Sequence, residues 1–517
     1  MKYPIGIQNF SKIRNDGYVY VDKTAIVYEL ANSGSYYFLS RPRRFGKSLL
    51  LSTMEAYFAG EKELFKGLSI ERLELEWVKH PILHLDLNTE KYDTPEALNG
   101  MLNDFLAKRE AIYGSSASEV SFGLRFQGII QRAFEKTGRR VVILVDEYDK
   151  PLLQAIGNDE LQKEYRDTLK AFYGALKSCD KYIRFAFLTG VTKFGKVSVF
   201  SDLNNLVDLS LDKRYSDICG ITEEELHEVF DGSVRGLAEE NGLSADECYD
   251  KLKRLYDGYH FSIDGRGMYN PFSVLNTLSS KQFGSYWFAT GTPTYLVELL
   301  RRFDYNLDMM SNAEISADVL NSIEPNSSNP IPVIYQSGYL TIKGYDSEFG
   351  DYKLGFPNEE VEEGFVKYLA PYYLSKTQSR SAFDVRQFIS DVRSGNVDQF
   401  CKRLKSLFAD TPYELVKNLE NHYQNIVWVV FKMMGFYSQA EYHTSDGRID
   451  LVIATPLYRY VMEFKLDGAA EQAMEQIKSK DYALPFAMDD KTTYLIGMNF
   501  DSTTRNIEKY IIEEYKG

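Results

Sequence analysis

The sequence predicts an α/β protein. A doubly wound parallel sheet comes first, a helical or winged-helix subdomain follows, and a separate small α/β domain closes the chain. Three observations predict this order. Apolar strand-like runs alternate with helical patterns up to about residue 215, the signature of a parallel sheet with crossover helices. From about residue 222 the pattern turns helical, and from about 420 it changes again to an α-β-β-β-α-β order. The expected divisions are 1–215, 216–300, a helical connector over 301–397, and 398–517. A length of 517 residues accommodates that many units at roughly 100–200 residues each.

The first strand is expected at 35–40 (SYYFLS), followed by a helix over 47–60 that stops on a glycine. Residues 81–88 (PILHLDLN) and 140–146 (RVVILVD) read as two further strands. The second is nearly all apolar, as in a central parallel strand. A fourth strand is expected at 184–190 (RFAFLTG). Helices are expected at 94–112, where Thr94 is the cap and Pro95 suits the first helical position, and at 160–177. Thr222 with Glu225 three residues on forms a capping box for the next helix. The polar, Asn-, Ser- and Pro-rich stretch 311–332 marks a boundary. In the last part a helix is expected at 420–434. Strands follow at 438–443, 448–455 and 458–465, then a helix at 469–483 and a strand at 492–499.

Composition excludes several classes. Hydrophobic residues at 44% and charged residues at 26% rule out global disorder. A net charge of −14 argues against a generally basic nucleic-acid coat but leaves room for a local phosphate groove. Cys179, Cys219, Cys248 and Cys401 form no C-x-x-C pair, which excludes a zinc ribbon and disfavours a disulfide scaffold. No apolar run approaches the ~20 residues needed to span a bilayer, and the start has no signal core. A soluble protein of a reducing cytoplasm, with no membrane partner, is the expectation.

Two constellations carry chemistry. Directly after the first strand comes Arg41-Pro42-Arg43-Arg44-Phe45-Gly46-Lys47-Ser48. G-K-S opening a helix is what a P-loop NTPase needs. Gly46 lets backbone approach phosphate, Lys47 reaches the β- and γ-phosphates, and Ser48 offers a hydroxyl to Mg²⁺. Arg41 breaks the usual first glycine, and the three arginines Arg41, Arg43 and Arg44 can add positive charge beside the phosphate site. On its own, G-K-S also marks an ordinary helix start. About a hundred residues on, the apolar strand ends in Asp146-Glu147. Asp146 is placed to hold Mg²⁺ and Glu147 to polarise the attacking water. The pair also reads as a cap for the next helix. Strand 81–88, which falls between the two in sequence, fits the subclass with an extra strand between the phosphate-facing ones. Thr189 or Thr192 can report the γ-phosphate from the fourth strand's end, and Arg214 is a candidate arginine finger.

The second constellation is Asp450, near the start of one strand, with Glu463 and Lys465 on the next. Alternation puts Glu463 and Lys465 on one face. Converging carboxylates can hold Mg²⁺ against a phosphodiester, while a lysine orients the attacking water and steadies the oxyanion. Glu441 and Glu420 are candidate further ligands. Gln476 and Lys480 can touch phosphate or fix Lys465. The same triplet alone also marks a solvated strand edge. His422 and His443 lack metal spacing and read as structural residues.

These residues carry a resemblance. The chain resembles the AAA-ATPase-like proteins of Bacteroides-type and other anaerobic bacteria, with a C-terminal domain similar to the PD-(D/E)XK nuclease superfamily. The likeness rests on Tyr20-Val21-Asp22-Lys23-Thr24, the Arg41–Ser48 loop, Val145-Asp146-Glu147-Tyr148-Asp149 and Leu188-Thr189-Gly190-Val191-Thr192-Lys193-Phe194. It continues through Leu203-Asn204-Asn205-Leu206, Tyr256-Asp257-Gly258-Tyr259, Tyr269-Asn270-Pro271-Phe272, Tyr286-Trp287-Phe288-Ala289-Thr290-Gly291, Gly447-Arg448-Ile449-Asp450 and Glu463-Phe464-Lys465. It covers nearly the whole chain and makes the arginine-rich loop a feature of the family. The resemblance implies nucleotide binding and a nuclease fold, with Asp22 and Lys23 near the nucleotide base.

The expected function is ATP binding and hydrolysis coupled to Mg²⁺-dependent cleavage of nucleic acid, DNA foremost, by a chain that can form a homo-oligomer. The alternative is an ATP-dependent switch or scaffold whose nuclease-like domain only binds nucleic acid or protein. Residues 401–517 carry 14 Lys/Arg against 17 Asp/Glu, which favours that alternative. A third reading is a nucleotide binder without turnover.

Overall fold

The computed structural model describes residues 1–193, 199–200, 203, 205–288, 296, 300, 305–307, 310, 313–321, 329–373, 387–409, 425–426, 428–430, 432, 437–444, 447–487 and 490–515. At 321, 371, 373, 437–444 and 447–449 only the backbone is described. The chain forms two compact units, Met1–Leu296 with Ala313–Val361, and Val297–Asn312 with Glu362–Gly517.

The first unit is built on a five-stranded parallel sheet. Its strands are β1 (Tyr36–Ser40), β2 (Ile82–Asp86), β3 (Val141–Asp146), β4 (Ile183–Gly190) and β5 (Val207–Asp208), in the order β2-β3-β4-β1-β5. Every residue of β1 and β3 is buried, which explains their nearly continuous apolar runs. The order corrects one expectation. The strand over 81–88 lies outside β3, and β4 fills the place between β1 and β3. Register aligns Ser40 with Gly190 and Asp86 with Asp146, so the chemistry-bearing strand ends share one edge.

Helix Lys47–Phe58 leaves β1 through Gly46. Helices Pro95–Tyr113, Phe122–Thr137 and Asp159–Ser178 pack through Phe105, Phe126 and Phe172, the last two stacked at 4.5 Å. Pro95 begins its helix as expected, while Thr94 makes no side-chain cap bond. Helices Glu223–Asn241, Ala245–Tyr256 and Pro271–Ser280 share a core of Leu226, Phe230, Leu252 and Val274. The N-terminal Tyr3, Val19 and Val21 pack against it. The Thr222–Glu225 capping box forms with both reciprocal bonds.

Residues 301–397, expected as a helical connector, also hold a three-stranded antiparallel sheet. It comprises β6 (Glu314–Ser316), β7 (Thr341–Asp346) and β8 (Asp351–Gly355).

The second unit carries a five-stranded sheet of β9 (Tyr437–Thr444), β10 (Gly447–Ala454), β11 (Tyr458–Leu466), β12 (Thr492–Asp501) and β13 (Asn506–Glu514), in the order β13-β12-β11-β10-β9. Only β11 and β12 run parallel. Helix Ala470–Ser479 makes that crossover. It packs Met474 and Ile477 on Val452, Val461 and Leu495. On the alternate set of β11 side chains, Phe400 of helix Val397–Ala409 meets Tyr460 at 6.4 Å. The expected helix over 420–434 lies largely outside the described residues, with helical backbone at 425–426, 428–430 and 432. β13 has no counterpart among the expected elements.

Candidate functional site

The first site forms where β1 ends. Arg44 has φ 70° and Gly46 φ 97°, both left-handed, which turns the chain sharply into helix Lys47–Phe58. A Cβ built at Gly46 meets nothing within 4 Å, so the turn opens on free space that a phosphate can fill. Lys47 Nζ donates to the carbonyls of Arg41 (3.0 Å) and Pro42 (3.4 Å), drawing the loop into a ring. Ser48 is half-buried at the second helical position. These residues fit a nucleotide phosphate with its Mg²⁺.

The arginines divide their roles. Arg41 is buried; its guanidinium donates to the carbonyls of Ser40, Ser210 and Tyr215 and lies 4.1 Å from the centre of the Phe261 ring. It is a strut of the loop, which corrects the expectation that all three arginines lend their charge to the phosphate site. Arg43 and Arg44 are exposed. Arg214 forks onto Asp212 in its own turn, at 3.1 and 2.6 Å.

The β3 end supplies the acids. Asp146 Oδ1 accepts from the Thr189 hydroxyl at 2.6 Å, so the residue that reaches this carboxylate from β4 is Thr189. Helix Lys150–Gln154 takes Asp149 as its N-cap residue, without a side-chain bond, so capping that helix does not account for Asp146 or Glu147. Glu147 sits at φ 53° and places Oε1 3.2 Å from Lys47 Nζ. Asp149 is buried and accepts from the Val191 amide (3.2 Å), the Thr192 amide (2.6 Å) and the Thr192 hydroxyl (2.7 Å). Thr192 thus clasps Asp149 and ties the turn after β3 to the loop after β4. Burial and the neighbouring Glu147 push the Asp149 acid up to about 6, against the Thr192 bonds. A Cβ at Gly190 would stand 2.6 Å from Asp149 Oδ1, so the clasp needs glycine there.

Asp22 Oδ1 accepts from the Thr24 amide and hydroxyl at the start of helix Thr24–Ser33 and Oδ2 from the Ser69 amide and hydroxyl, and Lys23 pairs with Glu225 at 2.5 Å.

The second site lies on β10 and β11. Leu451 opposes Met462, and one step further that register sets Asp450 across from Glu463. Asp450 Oδ2 accepts from the Phe464 amide at 2.8 Å. Glu463 is buried; Lys465 Nζ stands 3.0 Å from its Oε1. Gln476 Oε1 accepts from the same ammonium at 2.7 Å, and Gln476 Nε2 donates to the Tyr482 hydroxyl. Of its two expected roles, Gln476 fills the fixing of Lys465, whereas Lys480 is exposed at the helix end. Glu463 Oε2 is buried without a hydrogen-bond partner among the described residues, a lone pair left for a cation. Burial, then the Asp450 charge, raise the Glu463 acid to about 7, although Lys465 opposes them.

The carboxylate pair fits Mg²⁺ as a two-ligand site. Among the described residues no three His, Cys, Asp or Glu converge as a metal cluster. Glu441 holds the β9 register position facing Asp450, between the Ile449–Tyr442 and Leu451–Ala440 pairs; its side chain lies outside the described residues. Glu420 and His422 lie outside them too, as does the side chain of His443.

Three further residues shape the sites without having stood out in the sequence as site residues. Asp149 had a weak signal, as the last acid of Asp-Glu-Tyr-Asp. Asn499, in register with Lys465, accepts from the Gly468 amide at 2.9 Å and donates to Glu508 at 2.7 Å. Glu360 is buried and accepts from Ser273, Tyr286 and Trp287. Neither had a local signal, because their partners are distant in sequence.

Comparisons with known proteins identify two family domains along the chain. A family model described as predicted AAA-ATPase matches residues 4–200, and one described as PD-(D/E)XK nuclease superfamily matches residues 418–510. The chain is 35% identical over 524 aligned positions to an Azotobacter chroococcum mcd 1 protein named "Uncharacterized protein in vnfD 5'region", covering 99% of each. Among solved structures it matches the Aeropyrum pernix ORC2 protein, solved as ADPNP–ADP complexes. That match has 10% identity and a TM-score of 0.25, and covers 65% of this chain and 88% of that one. Among the described residues no helix is long and apolar enough to cross a membrane.

Proposed function

Because the chain belongs to the predicted AAA-ATPase family with a C-terminal PD-(D/E)XK nuclease superfamily domain, we propose that it binds and hydrolyses ATP and cleaves nucleic acid, DNA foremost, in a Mg²⁺-dependent reaction. At the first site Lys47 binds the β- and γ-phosphates, Ser48 and Asp146 hold Mg²⁺, and Glu147 takes the proton of the attacking water. Arg43 and Arg44 add charge at the loop's rim. Thr192 acts through Asp149, keeping the two strand-end loops in register.

At the second site Asp450 and Glu463 hold Mg²⁺, and Lys465 orients the water that attacks the phosphodiester. Bound Mg²⁺ supplies the Lewis acidity that steadies charge on the phosphoryl oxygens. Gln476 holds Lys465 in place. The observation that carries the nuclease reading is the Asp450–Glu463–Lys465 group, with one Glu463 oxygen buried and unpartnered.

The test is Mg²⁺-dependent cleavage of single- and double-stranded DNA and RNA by the full chain, with Lys465→Ala as control. Loss of cutting in the variant supports the assignment, and equal cutting removes it. A second reading, an ATP-dependent switch or scaffold whose nuclease-like part only binds, is favoured by the acidic balance of residues 401–517. It predicts nucleic-acid or protein binding with no cleavage in either chain.

A further inference from the structure

Three segments of the sequence, 256–261, 269–273 and 286–287, belong to neither constellation, yet all reach the phosphate loop within the first unit. Phe45 lies edge-on to Tyr259 at 4.7 Å and to Phe261 at 5.4 Å. The Arg44 guanidinium stands 4.5 Å from the centre of the Phe272 ring. The Trp287 indole N–H donates to the Arg43 carbonyl at 3.1 Å. Pro42 presses on Gly338, where an added Cβ would come within 2.5 Å of it. Each loop residue from Pro42 to Phe45 therefore has a partner more than two hundred residues away.

The loop needs such partners. Arg44 occupies the left-handed region without being glycine, a conformation that persists only where its surroundings impose it. The peptide between Arg43 and Arg44 is gripped from both sides, its carbonyl by Trp287 and the following guanidinium by Phe272. Trp287 is itself fixed. Glu360 Oε1 accepts from the Tyr286 amide (2.6 Å) and the Trp287 amide (2.8 Å), while Oε2 accepts from the Ser273 hydroxyl (2.7 Å). One buried carboxylate thereby joins two of the three segments.

We infer that Trp287, set by Glu360, is a positioning residue of the phosphate loop, holding the Arg43–Arg44 peptide in the turn that opens helix Lys47–Phe58. The inference rests on the nucleotide reading of that loop. Where a common P-loop bends by means of several glycines, this one keeps Gly46 and holds its bend at Arg44 through contacts from later segments of the chain. The later part of the unit is then a component of the nucleotide site, and a change at Trp287 alters nucleotide affinity without touching a residue that contacts phosphate.

The test compares the full chain with Trp287→Phe, which keeps the ring but loses the N–H donor, and with Glu360→Gln and Glu360→Ala. Two measurements are made: anisotropy of a fluorescent ATP analogue, and amide hydrogen exchange over residues 41–46 without nucleotide. Trp287→Phe is expected to bind about five- to tenfold more weakly, the scale of one hydrogen bond. Its 41–46 amides should exchange faster while the sheet amides keep their protection. Glu360→Gln, which retains an acceptor, should behave nearly as the parent, and Glu360→Ala as Trp287→Phe; this pair decides the matter if Trp287→Phe does not fold. Unchanged affinity and exchange in Trp287→Phe and Glu360→Ala overturn the inference and leave the nucleotide reading intact. Absence of nucleotide binding by the parent chain overturns that reading instead, and exchange over 41–46 still decides whether Trp287 holds the loop.

Discussion

Lys47 and Glu147 meet at 3.2 Å across the strand that separates β1 from β3. The ammonium proposed to bind phosphate is thus neutralised by the carboxylate proposed to activate water. On that proposal a bound triphosphate would compete for Lys47 and release Glu147 toward the reacting water. Glu147→Gln should therefore retain or tighten ATP binding while losing turnover by about 10²-fold or more. Lys47→Ala should lose binding itself. Isothermal titration and phosphate release separate the two: equal measurable turnover in Glu147→Gln would remove Glu147 from the reaction, and no turnover in either chain would favour a binder without hydrolysis.

The Glu463 acid sets a pH dependence. Its ordinary value is 4.5 and its folded value about 7, raised by burial and by Asp450. Between those limits the folded chain keeps a proton that the unfolded chain has lost. Stability from this group is therefore fullest below 4.5 and is lost as pH rises to about 7. Without metal, the melting midpoint of the parent should fall relative to Glu463→Gln across that window. Added Mg²⁺ should raise the parent's midpoint mainly above about 7, where the carboxylate is ionised. A constant difference between the two chains would contradict this.

Gly497 sets the height of helix Ala470–Ser479 over the sheet. A Cβ there would stand 2.7 Å from both the Ala470 carbonyl oxygen and the Met474 amide nitrogen, which are backbone atoms that cannot swing aside. Gly497→Ala should cost about 1–3 kcal/mol in a denaturant melt. Cleavage should fall as well, because that helix carries Gln476 to Lys465.

Arg41→Met should destabilise the first unit by at least ~2 kcal/mol, since the carbonyls of Ser40, Ser210 and Tyr215 lose their shared donor. Nucleotide affinity should drop with stability. A variant as stable as the parent would mean that the guanidinium is dispensable to the loop.

Much of the framework was legible in the sequence. The nearly continuous apolar strand expected over 140–146 is β3 within a residue, and Thr222 with Glu225 makes the box that their spacing predicts. β13 was not legible because it is an edge strand with mixed exposure, and its charged residues blur the alternation that marks a half-buried strand. The short β6, β7 and β8 were lost for a related reason: their mixed exposure gives neither the apolar run that marks β1 and β3 nor a sustained alternation.

At the sites, residue types were legible and pairings were not. Gly46, Lys47, Asp146, Asp450, Glu463 and Lys465 declare themselves by spacing within a few positions of a strand end. That Thr192 clasps Asp149, that Arg41 is a strut, and that Trp287 grips the loop depend on partners 43 to 244 positions distant.

The amino-acid order alone determined most of the segments that become strand or helix, and which acids, lysines and glycines stand at their ends, because periodicity and capping act over a handful of neighbouring residues. Packing decided that β4 lies between the two phosphate-facing strands, which acid each base meets, and what bends an arginine-rich loop that lacks the usual glycine. Those outcomes follow from which buried surfaces and unsatisfied polar groups find each other once the chain has collapsed, and no short window of sequence contains both partners.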